Sequence, residues 1–315
     1  MAARLRRDHP DDQRSEELKT PDTRWPGGAR CAVALAFDLD GPTGSAMLDG
    51  SIWRNPELFG IGGYGPFRAL PRILDLLDEH RIPATFFTPA WVLEQWPERG
   101  RAILERGHEV AHHGYRHECY FDLTVAEQLE VLAHSQRVFH DVLGETAIGF
   151  RTPSGDWHPE TTRLLVEHGF SYSSSMRDDD LPYRHLIGGR SSDLIEIPGH
   201  WDFDDYAYLA YQQRPAYPSG QDRIAGYDTT LANWRAEFDG VRAEGLCLTT
   251  LLHPKVSGKP GRILLLDELL RYLREPGDVW FGTCREVAEW WRATHPLISP
   301  EPEPAPLGTA SLGSA

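Results

Sequence analysis

The segment HEVAHHGYRHE, residues 108–118, contains four histidines and two glutamates within eleven positions. Imidazole and carboxylate groups are common ligands of zinc and other divalent metals, and histidine also exchanges protons near neutral pH. The segment is therefore either a polar surface loop or part of a metal site. A single HxxxH pattern does not decide between the two, because surface helices produce it by chance. The decision depends on what else in the chain could complete a site.

Side chains that could complete it follow other predicted strands. Asp38 and Asp40 come directly after the apolar run 31–37, Arg151 lies in FRTPSG, and His253 lies in LLHP. Each has an ordinary alternative: the two acids could be turn formers, and the arginine an ion-pair partner. Strands of a parallel sheet end at the same edge, so these side chains should meet. Taken together, they favour a metal site over a polar loop.

The predicted ligands of this site are Asp40, His113 and His117. Two imidazoles and one carboxylate suit a single divalent transition metal ion, with zinc the expected one. Three protein ligands leave coordination positions open for water and substrate, which is typical of a catalytic site. A helical turn after Gly114 would place both imidazoles on one face. His112 should point to the opposite side of its strand and is left out.

The arrangement of elements predicts the fold that positions these residues. Short β-branched or aromatic runs alternate with helical patterns throughout residues 30–296. No GxGxxG or GxxxxGK[ST] motif opens a helix, so a nucleotide-binding sheet is disfavoured. We predict an α/β fold, an irregular (β/α) barrel of seven or eight strands, as one catalytic domain. Residues 1–29 are expected to form a disordered or extended arm, and residues 297–315 a disordered tail.

Composition excludes several functional classes. The 315 residues are 40% hydrophobic and 25% charged, which is typical of globular proteins. A net charge of −15 argues against nucleic-acid and membrane partners. The apolar runs are too short to span a bilayer, and no secretory signal is recognisable. The four cysteines form no CxxC pair, so free thiols and a cytoplasmic location are expected.

The motifs FDLDG, HGYRH, FRTPSG and LLHP, in this order, resemble those of the polysaccharide deacetylase (NodB-homology) family of metal-dependent amide hydrolases. The resemblance covers residues 30–295. The sequence HPKVSGKPGR after the histidine resembles a cytoplasmic branch of that family, which includes peptidoglycan-deacetylase-like enzymes and allantoinases. The two kinds of enzyme share a fold but differ in substrate, so the resemblance leaves the substrate open.

The resemblance implies a role for each motif residue. Asp40, His113 and His117 would hold the metal, which would polarise the amide carbonyl and activate a water molecule. Asp38 would be the general base that takes a proton from this water. Arg151 would keep Asp38 ionised and correctly aimed. These roles agree with the chemistry of the residues themselves.

The remaining roles belong to the leaving group and to the oxyanion. His253 would protonate the departing amine, and a backbone N–H near Ser154 would help to hold the oxyanion. Two departures from the family pattern stand out. Leu39 separates two acids that are usually adjacent, and Ser154 replaces a usual aromatic residue. The acid that orients His253 is left open among three candidates: Asp202, Asp204 and Asp205.

Three long segments, 41–65, 176–193 and 200–228, are predicted to surround the site as loops. Their aromatic residues, with Trp53 and Trp201 foremost, are expected to contact the substrate or to pack between subunits of a homo-oligomer. We expect a small molecule or a glycan fragment as substrate, and N-deacetylation of an amino sugar as the reaction. The alternative is ring opening of a cyclic imide or ureide, which a narrow, lidded pocket would favour. A non-catalytic carbohydrate-binding protein is a third hypothesis, but it would not need both a base and an acid.

Overall fold

The computed structural model describes residues 25–47, 50–211 and 224–297. Most of the predicted N-terminal arm and nearly all of the predicted tail lie outside these ranges. Trp25, which the sequence analysis assigns to the arm, is 1% exposed. Its ring centroid lies 4.7 Å from that of Trp290 and 6.1 Å from that of Trp280. The packed structure therefore includes the last residues of the predicted arm.

Ten strands in the described residues form two sheets, with seven strands in the order β2-β3-β4-β5-β6-β8-β7 and three in the order β10-β1-β9. Only β7 pairs antiparallel, with β8. The strands are β1 Cys31–Ala34, β2 Ala36–Asp38, β3 Thr85–Thr88, β4 Glu109–His112, β5 Gly149–Phe150, β6 Tyr172–Ser173, β7 Tyr183–Ile187, β8 Arg190–Glu196, β9 Cys247–Thr249 and β10 Val279–Gly282.

Most connections between parallel strands contain helices. The α-helices of the described residues are α1 Thr43–Ala46, α2 Pro56–Tyr64, α3 Leu70–His80, α4 Ala90–Gln95, α5 Pro97–Glu105, α6 Val125–Leu143, α7 Thr161–Glu167, α8 Asp205–Leu209, α9 Tyr227–Glu244, α10 Pro254–Ser257, α11 Pro260–Arg274 and α12 Cys284–Thr294. No helix among the described residues is both long and apolar enough to cross a membrane. The four cysteines are free.

The two sheets meet at β1 and β2, which are one extended run interrupted at Leu35. A backbone bridge between Phe37 and Leu252 joins this run to the residues after β9, but hydrogen bonding among the described strands does not close a full circle. The predicted irregular (β/α) barrel is confirmed as an α/β fold of this type. With β1 and β2 counted together and the hairpin strand β7 set aside, the described parallel strands number eight, in agreement with the prediction.

Side-chain size alternates along the central run. Ala32, Ala34 and Ala36 belong to an inner apolar cluster, whereas Val33 and Leu35 belong to the larger cluster shared with the helices. Successive residues of a strand point to opposite faces, so the small residues line the crowded interior. The same alternation continues past the end of β2, so Asp38 and Asp40 are expected to point to the same side as Ala36.

The prediction that 41–65 and 176–193 are loops is wrong. The third predicted loop, 200–228, contains α8 and the start of α9, and its residues 212–223 lie outside the described ranges. The first segment contains α1 and α2, although its glycines disfavour a helix. Tertiary packing favours a glycine here, because a Cβ atom on Gly62 would lie 2.3 Å from the Cα of Pro42. The second segment contains β7, which turns into β8 through Gly188 and Gly189, both at positive φ. A two-residue Gly-Gly turn of this kind is a hairpin signal that the sequence analysis missed.

Candidate active site

Asp38 and Asp40 both point into the interior at the carboxyl end of the central run. The backbone N–H of Asp38 donates to Leu252 O at 2.7 Å, and that of Leu39 donates to Phe87 O at 2.8 Å, so the segment stays extended. Leu39 is buried in the larger cluster shared with the helices. The two acids on either side of it therefore face the opposite way, which makes the Leu39 departure compatible with one shared site.

His113 is oriented by a backbone carbonyl. Its Nδ1 lies 2.8 Å from Arg151 O, and a carbonyl oxygen can only accept, so Nδ1 carries the proton. The lone pair is then on Nε2, which faces the acids. Its neighbour His112 is buried on the other side of the strand, with its ring stacked on Phe139 and Phe150. His112 is thus a core residue, and burial lowers the pKa of its imidazole to about 3.

The loop after His113 does not form the helical turn that would place both imidazoles on one face. Gly114 and His117 have φ values of 73° and 64°, both in the left-handed region. The Glu118 carboxylate accepts hydrogen bonds from the backbone N–H groups of Tyr115 and Arg116 at 2.9 and 2.8 Å, which holds this tight loop. The imidazoles converge all the same, because the ring centroids of His113 and His117 lie 4.9 Å apart.

The side chains of Asp40, His113 and His117 could hold a metal ion. Asp40 Oδ1 lies 3.7 Å from the Nε2 of His113 and 3.9 Å from the Nε2 of His117. This buried oxygen has no hydrogen-bond partner among the described residues. A buried carboxylate oxygen without a partner is costly, and a cation between it and the two imidazoles would remove that cost. The donor set therefore fits a divalent transition metal ion.

The charge states of these groups suit metal binding. Burial opposes ionisation of Asp40, but the ammonium group of Lys255 outweighs it and holds the pKa of the carboxyl group well below its usual range. Burial lowers the pKa of His117 to about 3, which keeps the imidazole neutral at physiological pH. An ionised carboxylate and a neutral imidazole are the forms that coordinate metals.

Lys255 is a site residue that the sequence analysis missed. Its Nζ donates to the Oδ2 of Asp40 at 3.1 Å and lies 5.1 Å from the ring centroid of Tyr206. The side chain is buried, so the ammonium group and the carboxylate compensate each other's charge. This leaves Oδ1 as the Asp40 oxygen that is free to bind a metal. Its position two residues after His253 does not by itself distinguish Lys255 from an ordinary surface lysine in the sequence.

Asp38 is held by Arg151. Nη1 of the guanidinium donates to Asp38 Oδ1 at 2.7 Å, while Nε donates to Ser174 O at 2.9 Å. The guanidinium also lies 4.0 Å from the centre of the Phe87 ring. Burial opposes ionisation of Asp38, but the guanidinium of Arg151 outweighs it, so the pKa of the carboxyl group lies below its usual range. Oδ2 of Asp38 stays 3.9 Å from the Nε2 of His113.

His253 is oriented by Asp205, one of the three acids left open by the sequence. Its Nδ1 lies 2.7 Å from Asp205 Oδ1, and its backbone N–H donates to Oδ2 at 2.8 Å. Burial opposes protonation of His253, but Asp205 outweighs it and raises the pKa to about 9. Asp204 instead accepts from the backbone N–H of Tyr206, and Asp202 is exposed. Nε2 of His253 lies 3.9 Å from Asp38 Oδ2.

The three residues predicted to contact substrate lie in three separate 3-10 turns. Ser154 has a φ of 60° in a 3-10 turn, and its hydroxyl donates to Met47 Sδ at 3.4 Å. Trp53 is 38% exposed, with its ring 5.5 Å from the guanidinium of Arg116 in the histidine loop. Trp201 is 64% exposed, and its ring lies 5.0 Å from the guanidinium of Arg177. The structure leaves both indoles accessible from solvent.

Comparison with known proteins identifies relatives of the chain. Residues 63–173 match the family model described as polysaccharide deacetylase. The chain is 27% identical over 281 residues to the peptidoglycan deacetylase of Helicobacter pylori, covering 82% of this chain and 94% of that protein. The crystal structure of Puue allantoinase has a TM-score of 0.75 at 26% identity and covers 87% of this chain and 94% of that one.

A solved structure from Mycobacterium smegmatis, assigned as a polysaccharide deacetylase, is more similar. It has a TM-score of 0.81 at 32% identity and covers 89% of this chain and 97% of that one. The resemblance of the four motifs to this family is thereby confirmed. The chain belongs to the polysaccharide deacetylase family, whose members depend on a metal ion, and it is a hydrolase of amide C–N bonds.

Proposed function

We propose that this protein is a metal-dependent N-deacetylase that removes acetyl groups from amino sugars. One observation carries the proposal: a group that can accept a proton and a group that can donate one face each other across the candidate metal site. An ionised carboxylate, Asp38, and a protonated imidazole, His253, have their free atoms 3.9 Å apart. Amide hydrolysis needs both, because water must lose a proton and the amine must gain one. The deacetylase relatives support the choice of an acetylated amino sugar.

In the proposed reaction the ligands of the ion are Asp40, His113 and His117. A bound divalent ion would polarise the amide carbonyl and lower the pKa of water. Asp38 Oδ2 takes a proton from the attacking water, while Arg151 keeps this carboxylate ionised and fixed in direction. His253 then gives its Nε2 proton to the amine nitrogen as the C–N bond breaks, which releases acetate and a free amine.

The alternative function is ring opening of a cyclic ureide or imide. It is supported by the similarity to Puue allantoinase, at 26% identity over 87% of this chain. The same base and acid would act, since ring opening also breaks an amide-type C–N bond. The deacetylase hypothesis is favoured because the chain is more similar to the Mycobacterium smegmatis protein than to Puue allantoinase. A panel containing both acetylated amino sugars and cyclic imides separates the two reactions directly. A non-catalytic carbohydrate-binding role would leave both proton-transfer groups without a purpose.

Four finer points stay predictions from the sequence. They are zinc as the metal ion, a small molecule or glycan fragment as the substrate, a cytoplasmic location, and assembly into a homo-oligomer. Zinc suits two imidazoles and one carboxylate. Exposed aromatic residues such as Trp201 would suit either a sugar ring or a subunit contact. Elemental analysis and light scattering check the first and last of these points.

The experiment that tests the proposed function combines metal analysis with turnover in two variants. Asp38→Asn should retain the metal but lower kcat about 100-fold to about 10,000-fold, because only the proton acceptor is lost. His113→Ala should lose both metal and activity. His140→Ala removes an exposed histidine of α6 and serves as the matched control with unchanged metal content. Loss of metal from Asp38→Asn would make Asp38 a ligand, and a fully active, metal-free His113→Ala protein would overturn the mechanism.

A further inference from the structure

We propose that Arg177 forms a subsite for an anionic group of the substrate, a carboxylate or a phosphate carried close to the amide that is cleaved. The inference rests on the proposed function, since it assigns part of the same substrate. None of the four motifs includes Arg177, which lies four residues after β6.

The guanidinium of Arg177 is held in a fixed place. Its Nη1 donates to Ser175 O at 2.7 Å. A Cβ atom on Gly155 would lie 3.0 Å from Nη1 and 3.3 Å from Nη2, so the guanidinium lies against the Gly155 backbone. The ring of Trp201 covers it at 5.0 Å. The cation is thus positioned by a carbonyl group, a glycine and an indole, none of which neutralises its charge.

Arg177 lacks an anionic partner in the part of the chain that the structure describes. No carboxylate there lies within 4.0 Å of it as an ion pair. Its Nε is buried without a hydrogen-bond partner. Burial and the nearby charge of Arg151 lower the pKa of Arg177, which agrees with a guanidinium short of compensating charge. A partly buried cation in this state is costly, and an incoming anion would remove the cost.

The acids nearby are already engaged. Glu196 accepts from the backbone N–H of Met176 at 2.9 Å and pairs with His185 at 2.6 Å. Asp178 accepts from the hydroxyl of Tyr183 at 2.7 Å. Asp204 accepts from a backbone N–H at the start of α8. Since these carboxylates have other partners, the expected partner of Arg177 is a group that arrives with the ligand.

The position of Arg177 connects it to the chemistry. Gly155, which it contacts, follows Ser154 in the FRTPSG loop. Ser175, which holds it, follows Ser174, whose carbonyl and hydroxyl oxygens fix Arg151. A substrate anion bound here would lie at the mouth of the site beside the proposed oxyanion loop. Arginine suits carboxylate and phosphate groups because its planar guanidinium presents several donors.

The test compares matched substrates that differ in charge. N-acetylglucosamine is the neutral probe, its 3-O-lactyl ether adds a carboxylate, and its 1-phosphate adds a phosphate. The native enzyme should hydrolyse at least one anionic probe with kcat/KM about tenfold higher than for the neutral probe. The anionic probe with the higher kcat/KM identifies the anionic group and its place on the sugar. Equal or higher kcat/KM for the neutral probe would overturn the proposal.

Arg177→Gln should lower the anionic-to-neutral ratio of kcat/KM by about tenfold, mainly through KM. The matched control is Arg101→Gln, an exposed arginine of α5 that also donates to a backbone carbonyl, Val142 O. The anionic-to-neutral ratio of kcat/KM for Arg101→Gln should equal that of the native enzyme. A merely structural Arg177 would lower kcat/KM for every probe by the same factor, and that result overturns the proposal.

An equilibrium measurement separates this inference from the proposed function. In the Asp38→Asn background, binding of the three probes is measured with and without Arg177→Gln. Tighter binding of an anionic probe that depends on Arg177 supports the subsite, even if the native enzyme turns over none of the sugars. In that case N-deacetylation of amino sugars fails while the subsite stands. Binding without any charge preference overturns the subsite whatever the turnover results are.

Discussion

His253 shows how the site keeps a buried imidazole protonated. Burial alone would favour the neutral ring, yet Asp205 contacts Nδ1 at 2.7 Å and raises the pKa to about 9. Asp205 is itself fully buried, and it also accepts from the hydroxyl of Ser257. The Asp205 carboxylate thus keeps the imidazole of His253 protonated and leaves Nε2 facing the substrate. The charged form is the one that can protonate a departing amine.

Replacing Asp205 should therefore move the alkaline limb of the pH profile. The acid must be protonated, so activity falls as pH rises through the pKa of His253, about 9 in the native protein. In Asp205→Asn this pKa should fall toward the ordinary value of 6.5, and the limb should move to lower pH. The measurement is kcat/KM from about pH 5 to about pH 10.

The matched control is Asp202→Asn, which removes an exposed acid from the same segment. Its alkaline limb should coincide with that of the native enzyme. If the limb of Asp205→Asn also stays in place, His253 is not the acid that limits the reaction at high pH.

At the scale of single residues, the sequence identified the side chains that lie in motifs at predicted strand ends. Asp38, Arg151 and His253 could be named because each follows an apolar run. Lys255 and Arg177 could not, since their importance depends on which side chains they meet. The choice of Asp205 over its neighbours likewise needed the backbone path of α8, because all three acids lie within four residues of one another.

At the scale of elements, α1 is positioned by a close approach to a proposed ligand. A Cβ atom on Gly44 would lie 2.6 Å from Asp40 Oδ2 and 3.0 Å from Asp40 Cβ. Glycine disfavours a helix by about 1 kcal/mol relative to alanine, so its presence in this four-residue helix needs a reason. The reason is space, because a larger residue would displace the Asp40 carboxylate.

Gly44→Ala should consequently weaken metal binding, although helix propensity alone predicts a gain in stability. We expect metal affinity to fall by about tenfold to about 100-fold, as for other changes that disturb ligand orientation. Titration of metal-free protein against a competing chelator measures this. Gly240→Ala is the control, since Gly240 lies in α9 with open space around it. That variant should gain about 0.5–1 kcal/mol in free energy of unfolding and keep its metal affinity. Unchanged affinity in Gly44→Ala would mean that Asp40 is not a ligand.

The strands and helices were predictable where hydrophobic patterns were long. The alternation of β and α elements indicated the fold class, and the parity of β1 and β2 indicated that Asp38 and Asp40 share a face. Segment 41–65 was misjudged because its helices depend on tertiary contacts such as that of Gly62 with Pro42. The course of the histidine loop was also missed, since a left-handed His117 leaves no pattern in the sequence.

At the scale of the whole molecule, the site joins segments that are distant in the chain. Lys255 and Asp40 are separated by 215 positions, and Arg151 and Asp38 by 113. The proposed metal ligands come from the segments that follow β2 and β4, and these two strands lie on opposite sides of β3 in the sheet. An ion shared by these segments would bind only the folded chain. Its binding free energy would then add to the stability of the whole domain.

Removal of the metal should accordingly lower the melting temperature without unfolding the protein at room temperature. An ion present at 100 times its Kd adds about 2.7 kcal/mol, which for a domain of this size corresponds to about 5–10 °C. Scanning calorimetry with and without a chelator measures the shift, and elemental analysis verifies that the metal is gone. The metal-free protein should stay folded because Lys255 still compensates Asp40. His113→Ala should melt at one temperature with or without chelator. An equal shift in that variant would place the stabilising ion outside the site formed by Asp40, His113 and His117.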